Sequence, residues 1–173
     1  MVIKVNGYIE FEPENKTRKH NSQASWKRVA MIHTHDDLAA YYAWFIKTRF
    51  NLELNKPLRG SHVTIINDRD IEVPLFDKCK EIFHNKKITF YIDPLPRTNA
   101  KHWWLRVYAP DAEAIRIACG GSPIPNFDFH LTLGYANEKN LAHSEYILEC
   151  CKSFEIIPNG ARKPLDEHQI FEF

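Results

Sequence analysis

The sequence predicts an α+β fold of two similar lobes, each an antiparallel sheet with helices on its outer side and a groove between the lobes. Three observations support this. Stretches whose apolar residues alternate, the period of a strand, are interleaved with stretches whose apolar residues recur every three or four positions, the period of a helix. A short motif, His-x-Thr in an apolar frame, occurs twice, once in each half of the chain. No low-complexity tract, heptad run or linker separates the halves, so residues 1–173 read as one bilobal domain.

Taken in order, Ile3, Val5, Ile9 and Phe11 alternate with Lys4, Asn6, Tyr8 and Glu10. This is a half-buried strand, with Gly7 marking a bulge. Residues 12 to 25 are polar and aperiodic and read as a loop, a possible lid over a groove. A second strand is expected over residues 26 to 32. Thr34-His35-Asp36-Asp37 then resembles a capping box opening a helix, in which Leu38, Tyr41, Tyr42, Phe45, Ile46 and Phe50 form a core-facing stripe.

Pro57 and Gly60 lead into the first motif strand. Asn67 to Asp70 reads as a turn, and residues 74 to 84 as a short helix packing Leu75, Cys79, Ile82 and Phe83. Ile88, Phe90 and Ile92 mark the next strand. The one after it sets Trp103, Leu105 and Val107 against His102, Trp104, Arg106 and Tyr108. Pro110 starts a helix with Ala114, Ile115 and Ala118 inward, and Gly120-Gly121 ends it. After the second motif strand, Asn137 caps a helix expected to reach Ser153. Apolar patches at residues 154 to 157 and 170 to 173 can add edge strands.

The two motifs are Gly60-Ser61-His62-Val63-Thr64-Ile65-Ile66 and Phe127-Asp128-Phe129-His130-Leu131-Thr132-Leu133-Gly134, the second histidine falling 68 residues after the first. Chance supplies roughly 0.4 copies of His-x-Thr in a chain with nine histidines. In a strand, His62 and Thr64 share one face, as do His130 and Thr132, while the intervening apolar residues point the other way. Each strand therefore offers an imidazole and a hydroxyl to one side and apolar packing to the other.

Bulk properties narrow the function. With a formal net charge of +1, no global field steers the chain to nucleic acid or membrane, so recognition of any anionic ligand must be local, for example around Lys4, Lys27, Arg28 and Arg59. Cys79, Cys119, Cys150 and Cys151 lack metal-type spacing and read as reduced thiols of a cytosolic protein. The N-terminus lacks the basic and apolar regions of a signal peptide, and no run approaches the roughly 20 apolar residues of a membrane span. A cytoplasmic location, in the host if the source is viral, and no membrane partner are the expectations.

The twin motifs resemble those of the 2H phosphoesterase superfamily, in which two His-x-Thr/Ser motifs face each other across a groove. The likeness extends from about Tyr8 to Asn137, and the stretch from Trp103 to Pro110, with Ala114, Ile115 and Arg116 after it, is similar to phage members. The resemblance implies the same bilobal architecture and a phosphodiesterase with His62, Thr64, His130 and Thr132 as catalytic residues. It further implies that His130 often serves as base and His62 as acid, with the direction set by the substrate.

The residues themselves support such chemistry. Phosphodiester cleavage needs one proton acceptor, one proton donor and stabilisation of charge on the phosphoryl oxygens. Two imidazoles of ordinary pKa near 6.5 supply the transfers, and the two threonine hydroxyls donate to the non-bridging oxygens. Tyr8, Tyr91 and Trp104 are candidates for stacking on a nucleobase and Arg106 for pairing with phosphate, against the simpler readings of core packing and a protein ion pair. The other seven histidines, His20, His33, His35, His84, His102, His143 and His168, read as surface or structural, with His102 the one to revisit because it shares the face of Trp104.

No cofactor and no metal are expected, because His-Glu-x-x-His and paired Cys-x-x-Cys are absent. The favoured substrate is a cyclic oligonucleotide signal of the kind phages degrade to evade bacterial immunity, an anti-CBASS role. The alternatives are an RNA-end substrate with a 2′,3′-cyclic phosphate or a 2′,5′ linkage, or a non-catalytic nucleotide-binding module.

Overall fold

The structure is a computed structural model that describes residues 2–13, 28–57, 59–67, 73–125, 127–151 and 170–171. The strands are β1 (Val2–Phe11), β2 (Ala30–His33), β3 (His62–Ile66), β4 (Lys87–Ile92), β5 (Arg97–Thr98), β6 (His102–Tyr108), β7 (His130–Tyr135) and β8 (Ile170–Phe171). The helices are α1 (Asp36–Phe50), α2 (Phe76–Phe83), α3 (Pro110–Ala118) and α4 (Leu141–Cys151). The strands hydrogen-bond in the order β2-β3-β7-β6-β4-β1-β8, with β5 on β6. Because β1 also pairs with β2, six strands close into a barrel-like ring. Every pairing is antiparallel except that of β8 with β1.

The α+β class is as expected, but hydrogen bonding does not divide the sheet into two separate lobes. One continuous path runs through seven of the strands, and β5 branches from β6. The ring does have two narrow seams: β3 meets β7 through the pair Val63 and Leu131, and β4 meets β6 through Tyr91 with Tyr108 and Ile92 with Val107.

Alternation along the strands decides which face the helices cover. Ile9, Phe11, Val63, Ile65, Ile88, Phe90, Ile92, Trp103, Leu105, Val107, Leu131 and Leu133 are all buried in one cluster with Tyr42 and Ile46 of α1, Phe76 and Cys79 of α2, Ala112 and Ile115 of α3, and Ile147 of α4. Each large side chain removed from water contributes about 1.5–3 kcal/mol, so a one-residue slip of a motif strand would forfeit several such terms. The opposite face is left to His62, Thr64, His130 and Thr132, all partly buried.

α3 begins with Pro110 at its first turn and ends in a Schellman arrangement, with Gly120 N–H on the Ile117 carbonyl and Gly121 N–H on that of Arg116. Its inward face, however, is Ala112, Ile115, Arg116 and Cys119; Ala114 and Ala118 are exposed. The buried Arg116 guanidinium replaces the expected alanines and donates to the carbonyls of Ile65 (2.7 Å) and Ser122 (2.8 Å), tying the helix to the end of β3. The structure differs similarly on other elements. In α1 the buried face is Ala39, Tyr42 and Ile46, while Tyr41 is exposed. In α2, Phe76 and Cys79 are buried, while Leu75 and Ile82 are exposed. The helical period was legible, but its phase shifted because packing, not the apolar count, selects the face.

No side-chain cap bonds the start of α1; His35 occupies the cap, and the Thr34 hydroxyl donates instead to the Asn6 carbonyl. Gly7 is not a bulge, since β1 and β4 stay in register from Ile3 to Tyr8. Its role is close approach: a Cβ there would lie 2.4 Å from the His33 carbonyl oxygen and 2.6 Å from Ile32 Cγ2. Asn137 accepts from Asn140 N–H (3.1 Å) in the turn before α4. Ile170 and Phe171 form the expected edge strand. The loop after Glu12, Trp26 and Lys27 of the second strand, the turn at 68 to 70, and residues 152 to 169 lie outside the described residues.

Candidate active site

The register of β3 against β7, Val63 opposite Leu131, sets His62 opposite Thr132 and Thr64 opposite His130 on the shared outer face. The two imidazoles are thus diagonal neighbours across the pair, a relation that spans roughly 7–8 Å. Their proximity is felt electrostatically, since a positive charge on His130 disfavours one on His62.

The same local device anchors both rings. His62 Nδ1 lies 3.0 Å from the Gly60 carbonyl oxygen and His130 Nδ1 lies 2.9 Å from that of Asp128. Each motif bends its chain so that the carbonyl two residues before the histidine accepts from Nδ1–H. That bond fixes the tautomer and leaves Nε2 of both rings to receive or give a proton. A pair anchored this way is equipped for one acid and one base.

The environments of the two rings differ. Burial, chiefly, with nearby positive charge from His33, Arg59 and His130, pushes His62 down to about 4, against the pull of the Gly60 carbonyl. The expectation of an ordinary pKa near 6.5 therefore fails at His62, because the first motif strand sits among other cations and away from water. His102 is also pushed down, by burial and by the charges of Lys101 and His130.

β6 brings two of the proposed binding residues beside the second motif, with Trp104 opposite Thr132 and Arg106 opposite His130. Arg106 is buried, donates from Nη2 to Asp128 Oδ2 at 3.2 Å and lies over the Tyr108 ring at 5.6 Å. Asp128 thus serves both sides of the second motif, its carbonyl holding His130 and its carboxylate holding Arg106. Tyr8 is 47% exposed and stacks on His33, which itself lies opposite His62. Tyr91 occupies the same face but sits between Tyr108 and Lys4, and the register does not place it beside either motif.

His33, read from the sequence as surface or structural, is largely buried and ion-paired: its side chain is only 16% exposed and Nε2 lies 2.7 Å from Glu10 Oε2. The alternation of Met31, Ile32 and His33 put it on the motif face, but pairing with β3 was not legible. His84 and His143 are structural as expected, with His84 Nδ1 accepting from Phe11 N–H at 3.1 Å and His143 Nε2 against the Phe50 carbonyl at 2.7 Å. His20 and His168 lie outside the described residues. Among the described residues, no group of three or more His, Cys, Asp or Glu could hold a metal ion, and no helix is long and apolar enough to cross a membrane.

Paired Nδ1-anchored imidazoles with a hydroxyl opposite each are the groups that acid–base chemistry at a phosphoryl centre uses. A family model described as "Swiss Army Knife, 2H phosphoesterase domain" matches residues 36–141, more than half of the chain and including both motifs. The chain belongs to this 2H phosphoesterase family and is a phosphodiesterase hydrolase. The match begins at α1 and so leaves out β1 and β2, which the resemblance from Tyr8 had included. Searches of curated proteins and of solved structures give no match.

Proposed function

We propose that the protein hydrolyses a phosphodiester of a cyclic oligonucleotide signal without a metal, with His62 as general base and His130 as general acid. The observation that carries this reading is the matched anchoring of the two imidazoles, each with Nδ1 on a carbonyl and Nε2 free for the phosphoryl group. His62, held neutral by its surroundings, accepts the proton of the attacking water. His130 enters as the imidazolium and donates to the leaving oxygen as the P–O bond breaks. Thr64 and Thr132 donate to the non-bridging oxygens, and Arg106 adds positive charge beside His130. This direction reverses the one the resemblance implied, and burial of the first ring is the reason.

A small nucleotide signal is favoured over long RNA because, among the described residues, the cations near the motifs are few and two of them, His33 and Arg106, are met by Glu10 and Asp128. Trp104, beside Thr132, provides one stacking surface and exposed Tyr8 another, so a base can be held on either side of the scissile phosphate. The narrow seams fit a two-lobed groove that opens along them. The likeness of the stretch from Trp103 to Pro110 to phage members supports a role in escaping bacterial cyclic-nucleotide immunity, in a cytoplasmic setting.

The test incubates the protein in EDTA with cyclic dinucleotides, cyclic trinucleotides and RNA ending in a 2′,3′-cyclic phosphate. Turnover of the cyclic oligonucleotides alone supports the proposal, and turnover of the RNA end alone replaces it with RNA processing. Ligands bound and released unaltered would mean a binding module.

A further inference from the structure

A row of side chains extends the motif face beyond both histidines of the family motif. β2 lies between β1 and β3, and its last residue, His33, is opposite Tyr8 on one side and His62 on the other. The Tyr8 and His33 rings stack with centroids 5.4 Å apart and planes 21° apart. The His33 and His62 rings are 6.3 Å apart and tilted by 40°. On the far side from the motif, Glu10 Oε2 approaches His33 Nε2 at 2.7 Å, with both side chains largely shielded from water. Glu10 also interacts with the guanidinium of Arg59, just before the first motif. Apart from Arg59 and His62, these residues precede the segment that the family model matches.

We propose that His33, held as a cation by Glu10 and braced by Tyr8, is a positioning residue of the reaction: its fixed charge keeps the neighbouring His62 in the proton-accepting form. The inference rests on the base role given to His62. A carboxylate 2.7 Å from a ring nitrogen favours the charged form of the imidazole through the ion pair. With Nε2 engaged by Glu10, His33 has no proton-transfer atom to offer substrate through that nitrogen, so its influence acts through His62. A positive neighbour opposes protonation of His62, while the Gly60 carbonyl favours it. The charged and titratable groups facing this pair are Glu10 and Tyr8 from β1, Arg59 from the segment before β3, and His130 from β7. His33 is the largest of the charge contributions acting on His62.

The test follows the His62 ring by NMR titration without substrate and, separately, the pH dependence of kcat/KM. Two unit charges 6.3 Å apart shift one another by roughly 0.5 to 2 pH units as the effective dielectric falls from about 80 to about 20. His33→Gln keeps a hydrogen-bonding partner for Glu10 but removes the charge. It should raise the His62 titration by that amount and move the acid limb of the kcat/KM profile with it. His33→Lys, which restores a cation beside Glu10, should return both towards wild type. His33→Asn provides a second variant, expected to raise both by a similar amount should glutamine itself not be tolerated at that position.

If His62 titrates unchanged in folded His33→Gln, the proposal is overturned. If its titration moves while the acid limb stays, the base role of His62 falls, and the positioning role with it. A rise in KM alone, with neither titration nor limb displaced, would make His33 a substrate contact instead.

Discussion

The strongest quantitative consequence of the site concerns stability, and it can be read without a substrate. Burial, with the positive charge around it, pushes His62 down to about 4 from an ordinary 6.5. Across that window the unfolded chain binds the proton and the native state does not, so stability rises with pH and is lost as pH falls from 6.5 towards 4. Below the folded value both states are protonated and this contribution levels off. Integrated between about pH 7 and about pH 4.5, the gap corresponds to about 2 kcal/mol.

His62→Gln removes the titrating group while keeping an amide that can still meet the Gly60 carbonyl. Urea unfolding of wild type and variant at several pH values isolates the term, because every other ionisable group is common to both. Wild type should lose about 2 kcal/mol relative to the variant over that interval, whichever protein is the more stable at neutral pH. A difference that stays constant within about 0.5 kcal/mol would show that His62 keeps an ordinary titration, and the argument for its role as base would fall with it.

Other consequences are more direct. Thr132→Val and Thr64→Val should each lower kcat by roughly 10- to 100-fold with little change in KM, since a hydroxyl donating to a charged phosphoryl oxygen is felt most in the transition state; a change confined to KM would refute that role. Arg106→Gln removes the guanidinium that pairs with the exposed Asp128 carboxylate and should cost about 1 kcal/mol in stability, measured by urea unfolding, as well as activity. A loss of activity without loss of stability would mark Arg106 as a substrate contact only. Gly7→Ala drives a Cβ into the backbone of β2, and thermal unfolding should show it destabilised by about 2 kcal/mol or more. Unchanged unfolding would show that β1 can retreat from His33 at no cost.

Much of the fold could be read from period alone. The alternations at Ile88, Phe90 and Ile92 and at Trp103, Leu105 and Val107 gave strands and faces together, because a period of two leaves only one choice of buried side. Helix faces were less legible. In α3 the sequence offers Ala114 and Ala118 as readily as Ala112, and only the bond from Arg116 to the Ile65 carbonyl shows which side turns inward. The motif residues were legible because their chemistry and spacing repeat. Asp128 and Gly60 lay in view as neighbours of the motifs, but the use of their carbonyls follows from a backbone bend that sequence does not encode in residue type. His33 stayed hidden because its meaning depends on β2 lying between β1 and β3, a pairing between segments distant in the chain.

The two halves of the site repeat one local geometry, yet acid–base catalysis needs the two imidazoles in opposite protonation states. Local geometry cannot supply that difference, since Gly60 and Asp128 offer their carbonyls at nearly the same distance. The distinction has to come from what the rest of the chain packs against each motif. Against the first come burial and then the charges of His33 and Arg59, all opposing a charge on His62. Against the second comes Arg106, whose cation is already paired with the Asp128 carboxylate beside the ring it faces. The proposed base role of His62 therefore rests on asymmetric neighbours around a symmetric pair of motifs. Exchanging those neighbours, rather than the histidines, is the change that should reverse which ring carries the proton at the start of the reaction.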